Sequence, residues 1–257
     1  MQVLRSVITA LSMFSRIPMP QIAWREDNMR YVLASLPLVG AVIGLASMLW
    51  VWACSRFSLS GMVWSAGLML IPLLISGGIH LDGLADTADA LASHAEPERK
   101  RAILKDPHTG AFAVIAVCAY LITYFALGTQ LVPTRRLALA LLLAHTLSRA
   151  AGAMCSLMFP GSGSTGILAS FRDSSITRNS IIALVLWQAL SIAGFWMLFS
   201  WRGLFVVLVV AAAGFWLRRV SQRQFGGMSG DLTGAFIQIA EILMLVVLTI
   251  LQGGGAL

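Results

Sequence analysis

Apolar positions in this chain run in long blocks broken by short polar punctuation, with no sustained strand-like alternation. The blocks cover about residues 31–53, 61–79, 110–132, 137–159, 180–200, 204–217 and 235–251. A helix rises about 1.5 Å per residue, so about 20 apolar residues cross the roughly 30 Å hydrocarbon core of a bilayer. Most blocks reach or approach that length, and 204–217 is the shortest. The pattern predicts an all-α fold, a polytopic integral membrane protein of about seven transmembrane helices in a single helical bundle, with residues 1–257 forming one domain. Residues 1–14 are apolar but carry Arg5 and run into Arg16-Ile17-Pro18-Met19-Pro20 without a small-residue cleavage site. That predicts an amphipathic segment at the membrane interface, not a secretory signal.

Composition agrees with the pattern. The chain is 58% hydrophobic and 11% charged, against about 25% charged in an average soluble domain. The net charge of +7 predicts no nucleic-acid binding; it reports loop orientation. Loops on one side hold 13 of the 18 Lys and Arg, those on the other hold four, and Arg149 lies within a span. The positive-inside rule places the richer side in the cytoplasm. All acidic residues except Glu241 fall in the same loops, so any chemistry is expected at the cytoplasmic face. Cys54, Cys118 and Cys155 are isolated and show no metal or disulfide spacing.

The acidic residues are not spread evenly. Three of 11 occur within 82–89, as Asp82, Asp86 and Asp89, directly after an apolar block. On a helix at about 100° per residue, they stay within roughly 60° of one another. Carboxylates on one face repel unless a cation sits among them, and oxygen donors of this kind suit Mg²⁺, which shares its shell with water and phosphate. Small neighbours at Gly83, Ala85 and Ala88 leave room for a phosphate-bearing substrate. The plainer alternative is a set of helix-end carboxylates paired with loop arginines.

Three further groups point the same way. Lys105-Asp106-Pro107-His108-Thr109-Gly110 precedes a span whose N-terminus favours anions. There Lys105 is a candidate phosphate ligand, Asp106 a ligand or orienting group, and His108 a proton shuttle; an ordinary interfacial cap is the plain reading. Arg149, with His145 one turn before it, needs a polar partner inside the membrane, either an Asp of the cluster or a substrate phosphate. The stretch Gly226-Gly227-Met228-Ser229-Gly230-Asp231 opens the last span. Its glycines leave backbone amides open, and Asp231 is placed to complete a cation site; the plain reading is a capped hinge. No GxSxG occurs, and nothing here suits separated acid and base carboxylates.

Taken together, four stretches resemble the cobalamin synthase family, also called adenosylcobinamide-GDP ribazoletransferase. They are Phe14-Ser15-Arg16-Ile17-Pro18-Met19-Pro20, the run Gly77-Gly78-Ile79-His80-Leu81-Asp82-Gly83-Leu84-Ala85-Asp86-Thr87-Ala88-Asp89-Ala90, Lys105-Asp106 with Gly110 and Phe112, and Gly226-Gly227 through Gly230-Asp231 to Gly234-Ala235 with Glu241. The resemblance implies a Mg²⁺-dependent enzyme of the bacterial cytoplasmic (inner) membrane. It would join adenosylcobinamide-GDP to α-ribazole or α-ribazole 5′-phosphate, giving adenosylcobalamin or its 5′-phosphate and GMP. Its catalytic residues would be Asp82, Asp86, Asp89, Lys105 and Asp106, with Asp89 or Asp106 taking the hydroxyl proton. Substrate would be bound by Arg16, His80, Arg149, Gly227 and Asp231, and metal by Asp82, Asp86, Asp89 and Asp231. The lipid bilayer is its other partner, and a homo-oligomer is compatible with the pattern.

Two rivals bracket this reading. A CDP-alcohol phosphotransferase would use similar helix-borne aspartates, but Asp82-Gly83 lacks the preceding Asp of that signature. A transporter would place its acids at mid-membrane and show inverted halves, and neither feature is present in the sequence.

Overall fold

A computed structural model of the chain describes residues 2–20, 26–162 and 178–254. Arg25, Arg172 and Asp173, which entered the loop-charge count, lie outside these. Among the described residues eleven α-helices follow in order: α1 Gln2–Phe14, α2 Glu26–Met29, α3 Val32–Phe57, α4 Gly61–Ser76, α5 Ile79–Ala92, α6 Pro97–Ile103, α7 Ala111–Gln130, α8 Arg135–Met158, α9 Arg178–Phe199, α10 Leu204–Phe225 and α11 Gly230–Gly253, with a 3₁₀ turn Ser200–Gly203 between α9 and α10. The predicted all-α membrane architecture holds.

By length and composition, five helical stretches among the described residues are able to cross a membrane, or six when α4 and α5 count as one broken span. The difference from the predicted seven comes from two places: the fifth and sixth predicted spans lie in one continuous 48-residue helical stretch, and α4, with 16 residues, reaches span length only together with α5. That long stretch is not straight. The Cα of Gly203 lies against the Phe195 carbonyl, so the chain doubles back at the 3₁₀ turn and α9 and α10 form separate arms.

Local chemistry starts and stops the helices. Ser60, Thr134 and Ser229 accept hydrogen bonds from the backbone N–H groups of Val63, Leu137 and Leu232, satisfying amides that a helix start leaves unpaired. Packing then orders the bundle. α8 is its centre, with 78% of its apolar window buried, against 17% for the 178–225 stretch. Leu186, Leu190, Trp196 and Met197 on that stretch point outward, as lipid-facing side chains do. α3 lies against α8 where Gly40 meets the His145 carbonyl and Gly44 meets Leu142; small residues four apart let helix backbones touch where water offers no driving force.

Two sets of contacts define the ends. At the far end, Ser55 Oγ donates to the Pro133 carbonyl at 3.0 Å, Trp64 Nε1 donates to the Gly128 carbonyl at 3.0 Å, and the Val132 N–H donates to Gln252 Oε1 at 2.7 Å. At the near end, the Arg16 N–H donates to the Ile75 carbonyl at 2.7 Å, Ser156 and Thr233 hydroxyls meet at 2.7 Å, and Arg101 Nη1 donates to the Phe225 carbonyl at 2.9 Å. α5 and α6 belong to the near end. There the motifs meet.

Candidate active site

The site begins at a corner. α4 stops at Ser76, and Gly77 and Gly78 both take positive φ, 67° and 80°, which glycine adopts without the clash other residues suffer. The chain turns through 93° and resumes as α5. The stretch after Ile79 is helical to Ala92, as the one-face reading of the aspartates expects, and carries all three of them. Buried positions on α5 are His80, Gly83, Ala85, Thr87 and Ala90; Asp82 is exposed and Asp86 and Asp89 are half-buried.

α5 rests on the first turns of α11. A Cβ on Gly83 would lie 2.6 Å from the Asp231 carbonyl oxygen, and one on Gly234 would lie 3.0 Å from that of His80. The two glycines let the helices touch backbone to backbone. The half-buried Asp231 is thereby brought beside the Asp82 end of α5. Asp86 feels the charges of Asp82, Asp231 and Asp89, and Asp231 feels Asp82. The four carboxylates predicted as metal ligands thus share one end of the bundle.

They do not share one environment. Asp89 Oδ2 accepts the Gly110 N–H at 2.6 Å, and Oδ1 accepts the Ala113 N–H at 2.8 Å. Asp89 therefore caps α7, and the helix terminus expected to receive a substrate phosphate already holds an anion of the protein. In the loop just before it, Lys105 is exposed. Asp106 Oδ1 accepts from the His108 backbone N–H at 3.0 Å and lies 2.7 Å from His108 Nδ1. The backbone hydrogen bond first, then that of the ring, hold the Asp106 carboxyl below its ordinary range.

Arg16 is exposed and lies across the corner, its Cγ 2.8 Å from where a Gly77 Cβ would be. His80 is buried under the ring of Phe14, centroids 6.2 Å apart, and its Nδ1 has no hydrogen-bond partner among the described residues. Gly227 is buried against the backbone of Gly161 and Ser162, where the Met228 N–H donates to the Pro160 carbonyl at 2.7 Å and the Ser162 N–H to that of Met228 at 3.1 Å. α6 holds the other side of this loop, Lys100 Nζ donating to Gln224 Oε1 at 2.5 Å.

Arg149 stands apart. It is fully buried and paired with Glu241 inside the bundle, with Nη1 also donating to the His145 carbonyl at 3.1 Å. Its partner is neither a cluster aspartate nor a surface ligand. Glu241 also receives Ser148 Oγ at 2.9 Å and lies 2.9 Å from His145 Nδ1. A signal for the pair was present in the sequence, since the one base within a span and the one acid outside the polar loops each need an opposite charge.

The donor set suits Mg²⁺. It is all oxygen, partly exposed and mutually repelling. Among the described residues no three Asp, Glu, His or Cys side chains already converge on one point.

The family model for cobalamin-5-phosphate synthase matches residues 6–249. The chain is similar to an adenosylcobinamide-GDP ribazoletransferase of Lachnoclostridium phytofermentans, with 35% identity over 255 residues, 98% of this chain and 96% of that one. It is similar to proteins of the same name from Geobacillus kaustophilus, with 32% identity covering 95% of each chain, and from Pseudomonas savastanoi, with 33% identity covering 88% of this chain and 91% of that one. No solved structure matches it.

Proposed function

The chain belongs to the cobalamin-5-phosphate synthase family, and from that premise we propose that it joins adenosylcobinamide-GDP to α-ribazole or α-ribazole 5′-phosphate with release of GMP. The observation that carries this reading is the meeting of Asp82 and Asp86 with Asp231 across the Gly83–Gly234 contact. It gathers carboxylates at a bundle end where a diphosphate can reach them.

One or two carboxylates of the Asp82, Asp86 and Asp231 group would hold Mg²⁺. When bound, the ion would neutralise charge developing on the phosphates. Lys105, exposed on the adjoining loop, binds a phosphate oxygen, and Arg16 at the corner binds another. The ribose 3′-hydroxyl oxygen attacks the phosphorus attached to cobinamide. A new P–O bond forms as the bond to the GMP oxygen breaks, and GMP leaves with the bonding pair. Asp106 orients His108 through Nδ1, leaving Nε2 to take the hydroxyl proton. Arg149 is buried with Glu241, so phosphate binding is left to Lys105 and Arg16. His80 and Gly227 shape the site from beneath: one packs α5 on α11, the other lets the 160–162 segment approach. The loop charges favour the cytoplasmic face of a bacterial inner membrane for this site.

The test is direct. Protein purified into detergent or nanodiscs is given adenosylcobinamide-GDP, α-ribazole and Mg²⁺, and the nucleotide released is identified. GMP appearing with a corrinoid product supports the reading. No GMP, together with CMP released from a CDP-alcohol and an alcohol acceptor, overturns it in favour of a phosphotransferase of that other class.

A further inference from the structure

The pattern of Asp82, Asp86 and Asp89 presents three equivalent ligands, and the fold makes them unequal. We infer that Asp89 is a positioning residue: it caps α7, fixes the Lys105–Thr109 loop beside the Asp82–Asp86–Asp231 group, and is not a metal ligand. The inference rests on the reading of that group as the Mg²⁺ site.

Both Asp89 oxygens are engaged by backbone amides, at 2.6 and 2.8 Å. Gly110, at the N-cap position of α7, has no side chain to cap the helix, so Asp89 supplies from α5 what the local sequence lacks. The fit is tight. A Cβ on Gly110 would lie 2.6 to 2.8 Å from the Asp89 carboxylate atoms, which gives a physical reason for glycine at that place. The seam below is dry, with Ala90 fully buried and Ala113 only 1% exposed. Asp231 meets α5 at Gly83, next to Asp82 and about 9 Å along the helix axis from Asp89 at 1.5 Å per residue. The carboxylate also meets the positive end of the α7 dipole, so an anion is stabilised there without a metal. Once α7 is anchored, the residues just before it, Lys105 to Thr109, are held at the edge of α5.

Hydrogen exchange at the start of α7 and the Mg²⁺ dependence of turnover separate the two roles. Asn keeps one acceptor oxygen and turns the other into an N–H donor, so it retains one of the two cap bonds, whereas Ala retains neither. In Mg²⁺-free protein, exchange at whichever of the Gly110 and Ala113 amides the Asn oxygen serves should be at least about fivefold faster in Asp89→Ala than in Asp89→Asn. Gly110→Ala should behave like Asp89→Ala. The Mg²⁺ concentration for half-maximal rate should stay within about twofold of the unmodified protein in both Asp89 variants. It should rise tenfold or more in Asp82→Asn and Asp86→Asn, since losing a ligand costs at least as much as losing an outer-shell partner of one, about 10-fold or more. A tenfold rise in Asp89→Asn, or unchanged exchange in Asp89→Ala, overturns the inference. If no aspartate variant moves the Mg²⁺ dependence, the metal reading itself fails, and the exchange result still judges the cap.

Discussion

Arg149 and Glu241, 92 residues apart, form an ion pair between α8 and α11 with almost no exposure to solvent. Such a pair is costly to desolvate, and breaking it by removing one partner leaves a bare charge inside the bundle. Glu241→Leu alone is expected to cost roughly 3–5 kcal/mol. Arg149→Met combined with Glu241→Leu should recover most of that loss. The check is the half-inactivation temperature in detergent of each single variant and of the double variant.

Gly83 and Gly234 set how closely α5 approaches α11. A methyl at Gly83 would meet the Asp231 backbone, which has no flexible end to move aside. Gly83→Ala should therefore shift α5 and its aspartates. A displacement of about 1 Å at a reacting centre lowers turnover on the order of 100-fold. Gly61→Ala, where nothing lies within 4 Å of an added Cβ, should leave turnover unchanged. Steady-state kcat of the two variants gives the comparison.

Replacing Asp82, Asp86 or Asp231 by Ala removes an oxygen from the proposed cation site. Metal ions contribute several kcal/mol of charge stabilisation, so GMP release should fall roughly 1,000-fold or more. The variants should still insert in membranes, because these side chains are at most partly buried. GMP release near the unmodified rate in any of the three would remove that residue from the site.

The Asp106–His108 contact carries a pH expectation with a definite sign. The Asp106 carboxyl is held below its ordinary range by the His108 hydrogen bonds. The bond therefore favours the folded loop at pH values above the ordinary carboxylate range, and that contribution is lost as pH falls through the depressed folded value. At neutral pH the contact is intact. His108→Gln should lower kcat on the order of 100-fold or more and change the shape of its pH profile, whereas Asp106→Asn should lower kcat while keeping a profile of the same form. Identical profiles for His108→Gln and the unmodified protein would take His108 out of proton transfer.

The run of apolar blocks was enough to show an all-α membrane protein, because the bilayer fixes how many apolar residues a helix needs. The cluster of aspartates after one such block was enough to raise the expectation of a cation site, because carboxylates at helical spacing share a face. What only the tertiary structure decided concerns partners far apart in the chain. Local periodicity cannot say that Asp89 is spent on Gly110 and Ala113, that Gly83 lies on Asp231, or that Arg149 belongs to Glu241. Each of those pairings follows from helix packing, in which small residues allow close approach, and a buried charge or open amide then takes the nearest group able to satisfy it.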